Sequence, residues 1–275
     1  MTRQWWTRVA VAALACALAA GAAGAQGVGF KDPTGDDNGP GSYTYPTDAV
    51  YKAGSFDLTG FRVKVRGNKA DLEVDVNSTL EDPWKMGVGF SVQMVFVFID
   101  TDGKEGSGFT AGMPGTNVSF APGSAWERCV VLSPQPPGRI KAEVAAKVTA
   151  DTKPAVVVPA RTKGAGRTLS ATVDLAALGG GDPSTWGYQV LIQSNEGFPD
   201  KTDLLTRKVN EYEGQHRFGG GTDTDCDPHV MDCLAGAGKG DKSEVDAQHH
   251  MLAYECNADG SSKKMAELVM VRVSK

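Results

Sequence analysis

Hydrophobic and polar residues alternate along much of this chain, which is the pattern of strands with one buried face. Residues 61–65 alternate in this way, and so do residues 72–76. Gly67 and Asn68 lie between the two segments and supply a turn, so the sequence predicts an antiparallel hairpin there. Residues 90–99 are more uniformly apolar, which predicts a central strand that is covered on both faces.

Most of the remaining pattern also favours strands, separated by Gly or Pro clusters. The further predicted strands are residues 117–120, 127–132, 139–149, 155–159, 168–173, 187–193 and 268–273. Helix is predicted only as one turn at residues 174–178 and as a short helix at residues 243–253, with Ser243 as its N-cap. About ten short strands and so few helices predict an all-β fold, an antiparallel β-sandwich of the jelly-roll type with one or two short helices.

The first 25 residues have the composition of a secretory signal peptide. Arg3 and Arg8 precede an apolar stretch, and Ala23-Gly24-Ala25 forms a cleavage motif. The stretch is shorter than a typical membrane span, and no later segment is long and apolar enough to be one. We therefore predict an exported protein without a transmembrane segment, periplasmic or at the cell surface. Because no repeat or linker divides residues 26–275, we predict that they form a single domain.

Charge narrows the possible partners. The net charge of the full sequence is −5, and removal of the two leader arginines makes the mature chain more acidic. An acidic chain without basic clusters argues against nucleic acid and anionic membrane as partners, and we expect neither.

Four cysteines remain after the leader, and an even number in an exported protein predicts two disulfides. Three pairings of Cys129, Cys226, Cys233 and Cys256 are possible. We favour Cys226–Cys233, which closes a short loop, together with Cys129–Cys256. A zinc site is a weaker interpretation because the sequence contains no C-x-x-C spacing.

Several acidic loops are candidate metal sites. Asp32, Asp36 and Asp37 lie in a Gly- and Pro-rich turn, where crowded carboxylates repel one another unless a cation or N–H groups compensate. Calcium suits such a loop because it accepts many oxygen ligands without strict geometry. Asp100 begins a D-x-D-G segment after the most apolar strand, and residues 223–227 form a third acidic turn. For each loop the alternative is a plain polar turn.

Aromatic side chains are candidate platforms for sugar rings, whose C–H faces pack on π surfaces. The candidates are Tyr43, Tyr45, Trp84 and Trp126, with Trp186 and Phe198 also considered. Trp84 is the best of them because it follows Asp82 and Pro83 in a loop. The alternative for most of them is packing in the core. No G-x-S-x-G motif occurs, and the sequence offers no way to pair two catalytic carboxylates, so we predict a protein that is not an enzyme.

The order of several motifs resembles the C-terminal domain of glucodextranase, a β-sandwich of the DOMON-like class. The resemblance begins at residues 30–48, continues through residues 84–100, 112–117, 218–221 and 228–232, and ends at Met270 and Val271. It implies a non-catalytic module of secreted α-glucan-degrading enzymes, similar to surface-layer-associated and family 9 carbohydrate-binding modules. It also implies a structural calcium ion with Asp32, Asp36 and Asp37 as ligands and Asp100 as a weaker addition.

Together these observations predict an exported, calcium-stabilised, non-catalytic module that binds carbohydrate, either an α-glucan or a cell-wall glycan. The module could act as an accessory to a glycoside hydrolase. Because no glycosidase domain precedes it in this sequence, we expect a stand-alone version. One alternative is a structural envelope protein without a sugar ligand. The other is a haem-binding electron-transfer module, since other DOMON-like sandwiches hold haem.

Overall fold

The computed structural model describes residues 27–273, so the predicted signal peptide, residues 1–25, lies outside the described residues. The strands in chain order are β1 (Gly27–Lys31), β2 (Leu58–Arg66), β3 (Lys69–Val76), β4 (Gln93–Asp100), β5 (Val118–Phe120), β6 (Arg128–Leu132), β7 (Val156–Val157), β8 (Thr162–Ala165), β9 (Thr168–Asp174), β10 (Gly187–Ser194), β11 (Asp232–Cys233), β12 (Glu255–Cys256), β13 (Ser262–Lys264), β14 (Ala266–Leu268) and β15 (Val271–Arg272). The two α-helices are α1 (Pro137–Lys147) and α2 (Ser243–Leu252). Four short 3-10 helices are Pro122–Ser124, Lys153–Ala155, Leu175–Leu178 and Pro183–Thr185.

Two sheets form the sandwich. The first has the strand order β1-β2-β3-β9-β8 and is antiparallel throughout. The second has the order β11-β10-β4-β6-β7, with β15 also paired to β10. Its central pairs are antiparallel, while β7 joins β6 in parallel. The predicted hairpin is confirmed as β2 and β3, and the predicted β-sandwich is confirmed.

A third layer covers the outer face of the second sheet, which explains the uniformly apolar strand in the sequence. On β4, Val95, Val97 and Ile99 point into the core between the sheets. Phe96 and Phe98 point the other way, into a second core that also contains Ile140 of α1 and Leu252 of α2. Every residue of β4 is buried, as predicted for a strand covered on both faces.

Two element predictions need correction. Residues 139–149 were predicted as a strand, but most of them belong to α1, whose buried residues Ile140 and Val144 are four positions apart, one helical turn. Pro137 stands at the first helical position, where its missing N–H costs nothing. Helix α2 begins at Ser243, so the N-cap is Lys242 and not the serine.

The predicted disulfide pairing is wrong. The structure joins Cys226 to Cys256, with the two Cα atoms 5.6 Å apart. Cys129 and Cys233 are buried free thiols. Both face the second core, Cys129 from β6 and Cys233 from β11. Their positions are fixed by the sheet registers, which cysteine spacing alone does not reveal.

Within residues 27–273, no helix combines the length and the apolar character needed to cross a membrane.

Candidate metal centre and binding pockets

Four aspartates meet where the two sheets approach each other. Asp32 follows β1 and Asp57 precedes β2, and because these strands are antiparallel neighbours the two residues come together. Asp232 begins β11 of the other sheet, and its Oδ2 accepts a 2.6 Å hydrogen bond from the Leu58 N–H of β2. Asp36 lies in the turn after Asp32. These four residues, Asp32, Asp36, Asp57 and Asp232, are the acidic centre.

The acidic centre is buried and lacks partners for many of its oxygens. Each of the four side chains is at most 5% exposed. One carboxylate oxygen each from Asp32, Asp36 and Asp232 lies within 4.8 Å of the others. Five oxygens of the centre have no hydrogen-bond partner among the described residues: Oδ2 of Asp32, both oxygens of Asp36, Oδ1 of Asp57 and Oδ1 of Asp232. Buried polar atoms are normally satisfied, so this number of unpaired acceptors in one place indicates that protons, ordered water or a bound ion complete the centre.

Burial and mutual repulsion make the charged form of the centre costly. Burial raises the pKa of Asp36 and that of Asp57 to about 6. Burial, followed by the charge of Asp36, raises the pKa of Asp32 well above its ordinary value. The pKa of Asp232 is raised in the same way by burial and by Asp32. No ion pair in residues 27–273 involves these four carboxylates.

Either protons or a cation could relieve this repulsion, and the hydrogen bonds favour a cation. A proton shared between two of these carboxylates would pair only two of the five oxygens and leave the others without partners. The unpaired oxygens of Asp36 instead form the kind of all-oxygen donor set that hard divalent cations prefer. The residues therefore fit the calcium ion that the resemblance implies, with Asp32, Asp36 and Asp232 as the side chains that would hold it and Asp57 beside them.

Helix α2 supports the centre from one side. The side chain of Gln248 donates to the carbonyl oxygen of Asp36 and accepts a 3.0 Å hydrogen bond from the N–H of Cys233. The carboxylate of Glu244 is buried and accepts hydrogen bonds from four backbone N–H groups of one loop, those of residues 237, 239, 240 and 241. This loop in turn pairs with β1, where the N–H of Lys31 donates to the carbonyl oxygen of Gly238.

The structure does not bring the other two predicted ligands into the acidic centre. The carboxylate of Asp37 accepts a hydrogen bond from the hydroxyl of Tyr45. Asp100 belongs to a separate group with Asp102 and Glu127. There Asp100 is ion-paired with Arg272 and also accepts two backbone N–H bonds, so its charge is already compensated.

Asp57 and Asp232 were missed by sequence reasoning. Asp232 lies inside one of the motifs that carried the resemblance, and Asp57 stands between the apolar residues Phe56 and Leu58 at the start of a strand. A carboxylate between two buried apolar residues is a usable signal, because charged groups are rarely fully buried without a partner.

Tyr43 and Tyr45, which were predicted to contact sugar, line a pocket of about 360 Å³ together with Asp37 and Asn38. We call this the tyrosine pocket. The rings of both tyrosines are largely committed to packing. Tyr43 is buried, and its hydroxyl donates to the carbonyl oxygen of Pro228 at 2.8 Å. Tyr45 is half-buried and packs edge-on against Phe56 with ring centroids 5.2 Å apart. Tyr43 therefore has no open face for sugar stacking, and Tyr45 is only partly exposed.

The two tryptophans that were predicted to contact sugar differ in how far they are buried. Trp126 is fully buried in the second core, with its indole N–H donating to the carbonyl oxygen of Ala111, so its assignment to ligand binding is wrong. Trp84 is half-buried and packs edge-on against Tyr51 with centroids 6.3 Å apart. The most exposed large apolar side chain of residues 27–273 is instead Phe198, at 94%.

Comparison with known proteins identifies the family. The family model described as the C-terminal, SLH-like binding module of glucodextranase matches residues 28–270. No curated protein matches the chain in sequence. Since the family model covers almost all of the described residues, the chain belongs to this family of binding modules.

Proposed function

We propose that this member of the glucodextranase binding-module family is a calcium-stabilised, non-catalytic module that binds carbohydrate outside the cytoplasm. The match to a binding module over residues 28–270 is the observation that carries the binding function. Carbohydrate is the proposed ligand because the family is named for an enzyme that degrades a glucan. An α-glucan or a cell-wall glycan is the expected class, and an accessory role beside a glycoside hydrolase follows from the same reasoning.

The proposed calcium ion is supported by the acidic centre. Asp32, Asp36 and Asp232 offer buried oxygens without hydrogen-bond partners, and their charges are otherwise uncompensated. The ion would supply the positive charge that these carboxylates lack and would join the end of β1 to the start of β11. Its role is structural, because the centre is buried and offers a substrate no access.

Export is supported by the leader-like sequence of residues 1–25 and by the disulfide between Cys226 and Cys256. Disulfides persist in oxidising compartments and are rare in the cytosol. Outside the cytoplasm calcium is also abundant enough for modest-affinity sites.

A thermal melt of residues 26–275 tests these parts separately. The melting temperature is measured in calcium and in chelator, and then in calcium with dextran, soluble starch or peptidoglycan. Because a ligand that binds only the folded state stabilises it, we expect one shift with calcium and a further shift with one glycan class. A calcium shift without any glycan shift would favour the structural envelope protein. No calcium shift would reject the proposed ion.

A further inference from the structure

A second pocket, on the surface formed by residues 196–217, is better suited to a sugar than the tyrosine pocket. Its volume is about 280 Å³, close to the lower end of the range of about 300 to 1,000 Å³ for small-ligand sites. The lining side chains that matter for the argument are Glu196, Phe198, Asp203, Arg207, Asn210 and Arg217. We call this the Phe198 pocket.

The ring of Phe198 is exposed on a backbone that is held in place. The N–H of Phe198 donates to Oε1 of Glu196 at 2.9 Å. Oε2 of the same glutamate is ion-paired with Arg207 at 2.7 Å. The carbonyl oxygen of Gly197 accepts a hydrogen bond from Arg139 of α1. Phe198 is therefore 94% exposed on an anchored loop, where its ring is open to a ligand.

A second exposed aromatic residue lies close in sequence to the pocket lining. Tyr212 is 64% exposed and lies between Asn210 and His216, which both line the Phe198 pocket. Phe198 and Tyr212 are the two most exposed large hydrophobic side chains among the described residues. Phe198 lines the pocket itself and is therefore the aromatic side chain most available there to stack on a sugar ring.

The polar lining of the pocket favours a neutral ligand. Its lining carries three carboxylates and three cationic side chains, whose charges balance, and two ion pairs join four of them, Glu196 with Arg207 and Asp200 with Lys208, the latter at 3.0 Å. Paired charges offer fixed donors and acceptors without a strong net field, which suits hydroxyl groups better than an ion. Asp203 and Thr206 are both buried in this lining. Oδ2 of Asp203 and Oγ1 of Thr206 have no hydrogen-bond partner among the described residues.

We propose that the Phe198 pocket is the carbohydrate site of this module, with Phe198 stacked on one face of a neutral pyranose and with Arg207, Asn210 and Arg217 bonding its hydroxyls. This inference rests on the proposed carbohydrate-binding function and specifies where on the surface it occurs. The tyrosine pocket is the competing location, and its packed rings argue against it.

The test measures the affinity for dextran and soluble starch by isothermal titration in calcium. The variants are Phe198→Ala, the aromatic replacement Phe198→Trp and, as a control in the competing pocket, Tyr45→Phe. We expect Phe198→Ala to weaken binding roughly tenfold, while Phe198→Trp and Tyr45→Phe retain it. Because Phe198 is exposed, its removal should leave the melting temperature unchanged.

The outcomes separate this inference from the proposed function. If the wild-type protein binds a glycan and Phe198→Ala binds it equally well, the function stands and the assigned site is wrong. If the wild-type protein binds neither glycan, the proposed function fails for these ligands and the assigned site fails with it.

Discussion

At the scale of single residues, Asp36 is the most direct reporter of an ion, because both of its carboxylate oxygens are buried without partners. We expect Asp36→Asn to lower the melting temperature in saturating calcium, since a charged ligand is lost. In chelator the same variant should be as stable as the wild type or more stable, because one repelling charge has been removed. Differential scanning calorimetry in both conditions measures the two changes.

The matched control is Asp102→Asn, which changes an exposed carboxylate of the other acidic group. This variant should keep the full calcium shift of the wild type. An equal calcium shift in Asp36→Asn and in the wild type would remove the acidic centre from consideration as the ion site.

His229 provides a pH-dependent prediction that does not involve the acidic centre. Its imidazole is buried, with Nδ1 accepting the Val209 N–H at 3.2 Å and Nε2 unpaired among the described residues. Burial, helped by the charge of Lys208 and opposed by Asp225 and Asp200, lowers the pKa of this histidine to about 4.

The direction in which stability changes with pH follows from proton binding by His229. Below about pH 6.5 the unfolded chain takes up a proton that the folded protein does not accept until about pH 4, so stability falls as the pH falls through this window. Between pH 7 and pH 5 the expected loss is about 2 kcal/mol. In His229→Asn, this part of the pH dependence should be absent. Urea unfolding of both proteins in calcium at the two pH values checks it, and identical pH dependence would contradict it.

The residues of the acidic centre were only partly accessible from sequence. Asp32 and Asp36 are predictable because they are crowded within one short turn. Asp232 is not, since its approach depends on β11 pairing with β10 in the opposite sheet. Phe198 was one of several aromatic candidates, and only the structure shows that its ring is exposed while that of Trp126 is buried.

At the scale of elements, helix α2 holds the loop that covers the acidic centre. Glu244→Gln keeps the shape of the side chain but replaces one acceptor oxygen with an NH2 group, which cannot accept the loop N–H groups, and leaves the other oxygen with weaker, uncharged hydrogen bonds. We expect a loss of about 2 kcal/mol in the free energy of unfolding. Urea unfolding measures the loss, and amide hydrogen exchange should show faster exchange at the N–H groups of this loop.

The control for this helix is Asp246→Asn, on its exposed face. That change should alter stability by no more than about 0.5 kcal/mol. Equal exchange rates in Glu244→Gln and the wild type would mean that the loop does not depend on this carboxylate.

Strands were more predictable from sequence than helices in this chain. The alternation of apolar and polar residues in β2 and β3 is a local pattern, and the structure confirms both strands. It also confirms β4 as a strand buried on both faces. Helix α1 was mistaken for a strand because its apolar residues are sparse, with Ile140 and Val144 as its only fully buried positions. One pair of apolar residues four positions apart does not distinguish the sequence of a helix from that of an irregular strand.

At the scale of the whole molecule, the disulfide ties β12 to the segment before β11. Cys226 and Cys256 are 30 positions apart, a loop for which chain entropy predicts a stabilisation of about 3 to 4 kcal/mol. We expect the double variant Cys226→Ser, Cys256→Ser to lose about this much and to become insensitive to reductant. Urea unfolding with and without reductant measures both effects.

Peptide mapping of residues 26–275 tests the pairing itself. A peptide joining Cys226 to Cys256 is expected, and Cys129 and Cys233 should react with iodoacetamide only after unfolding because both are buried. A peptide joining Cys226 to Cys233 would contradict the structure.

The acidic centre joins distant parts of the chain, since Asp32 accepts a hydrogen bond from the N–H of Ala235, 203 positions away. Contacts of such long range form late in folding, because the intervening chain must first be closed into a loop. Until the proposed ion arrives, the like charges of Asp36 and Asp232 oppose that closure. Calcium would then favour the closure of this contact, so that the protein folded in chelator should reach its native state more slowly than the protein folded in calcium.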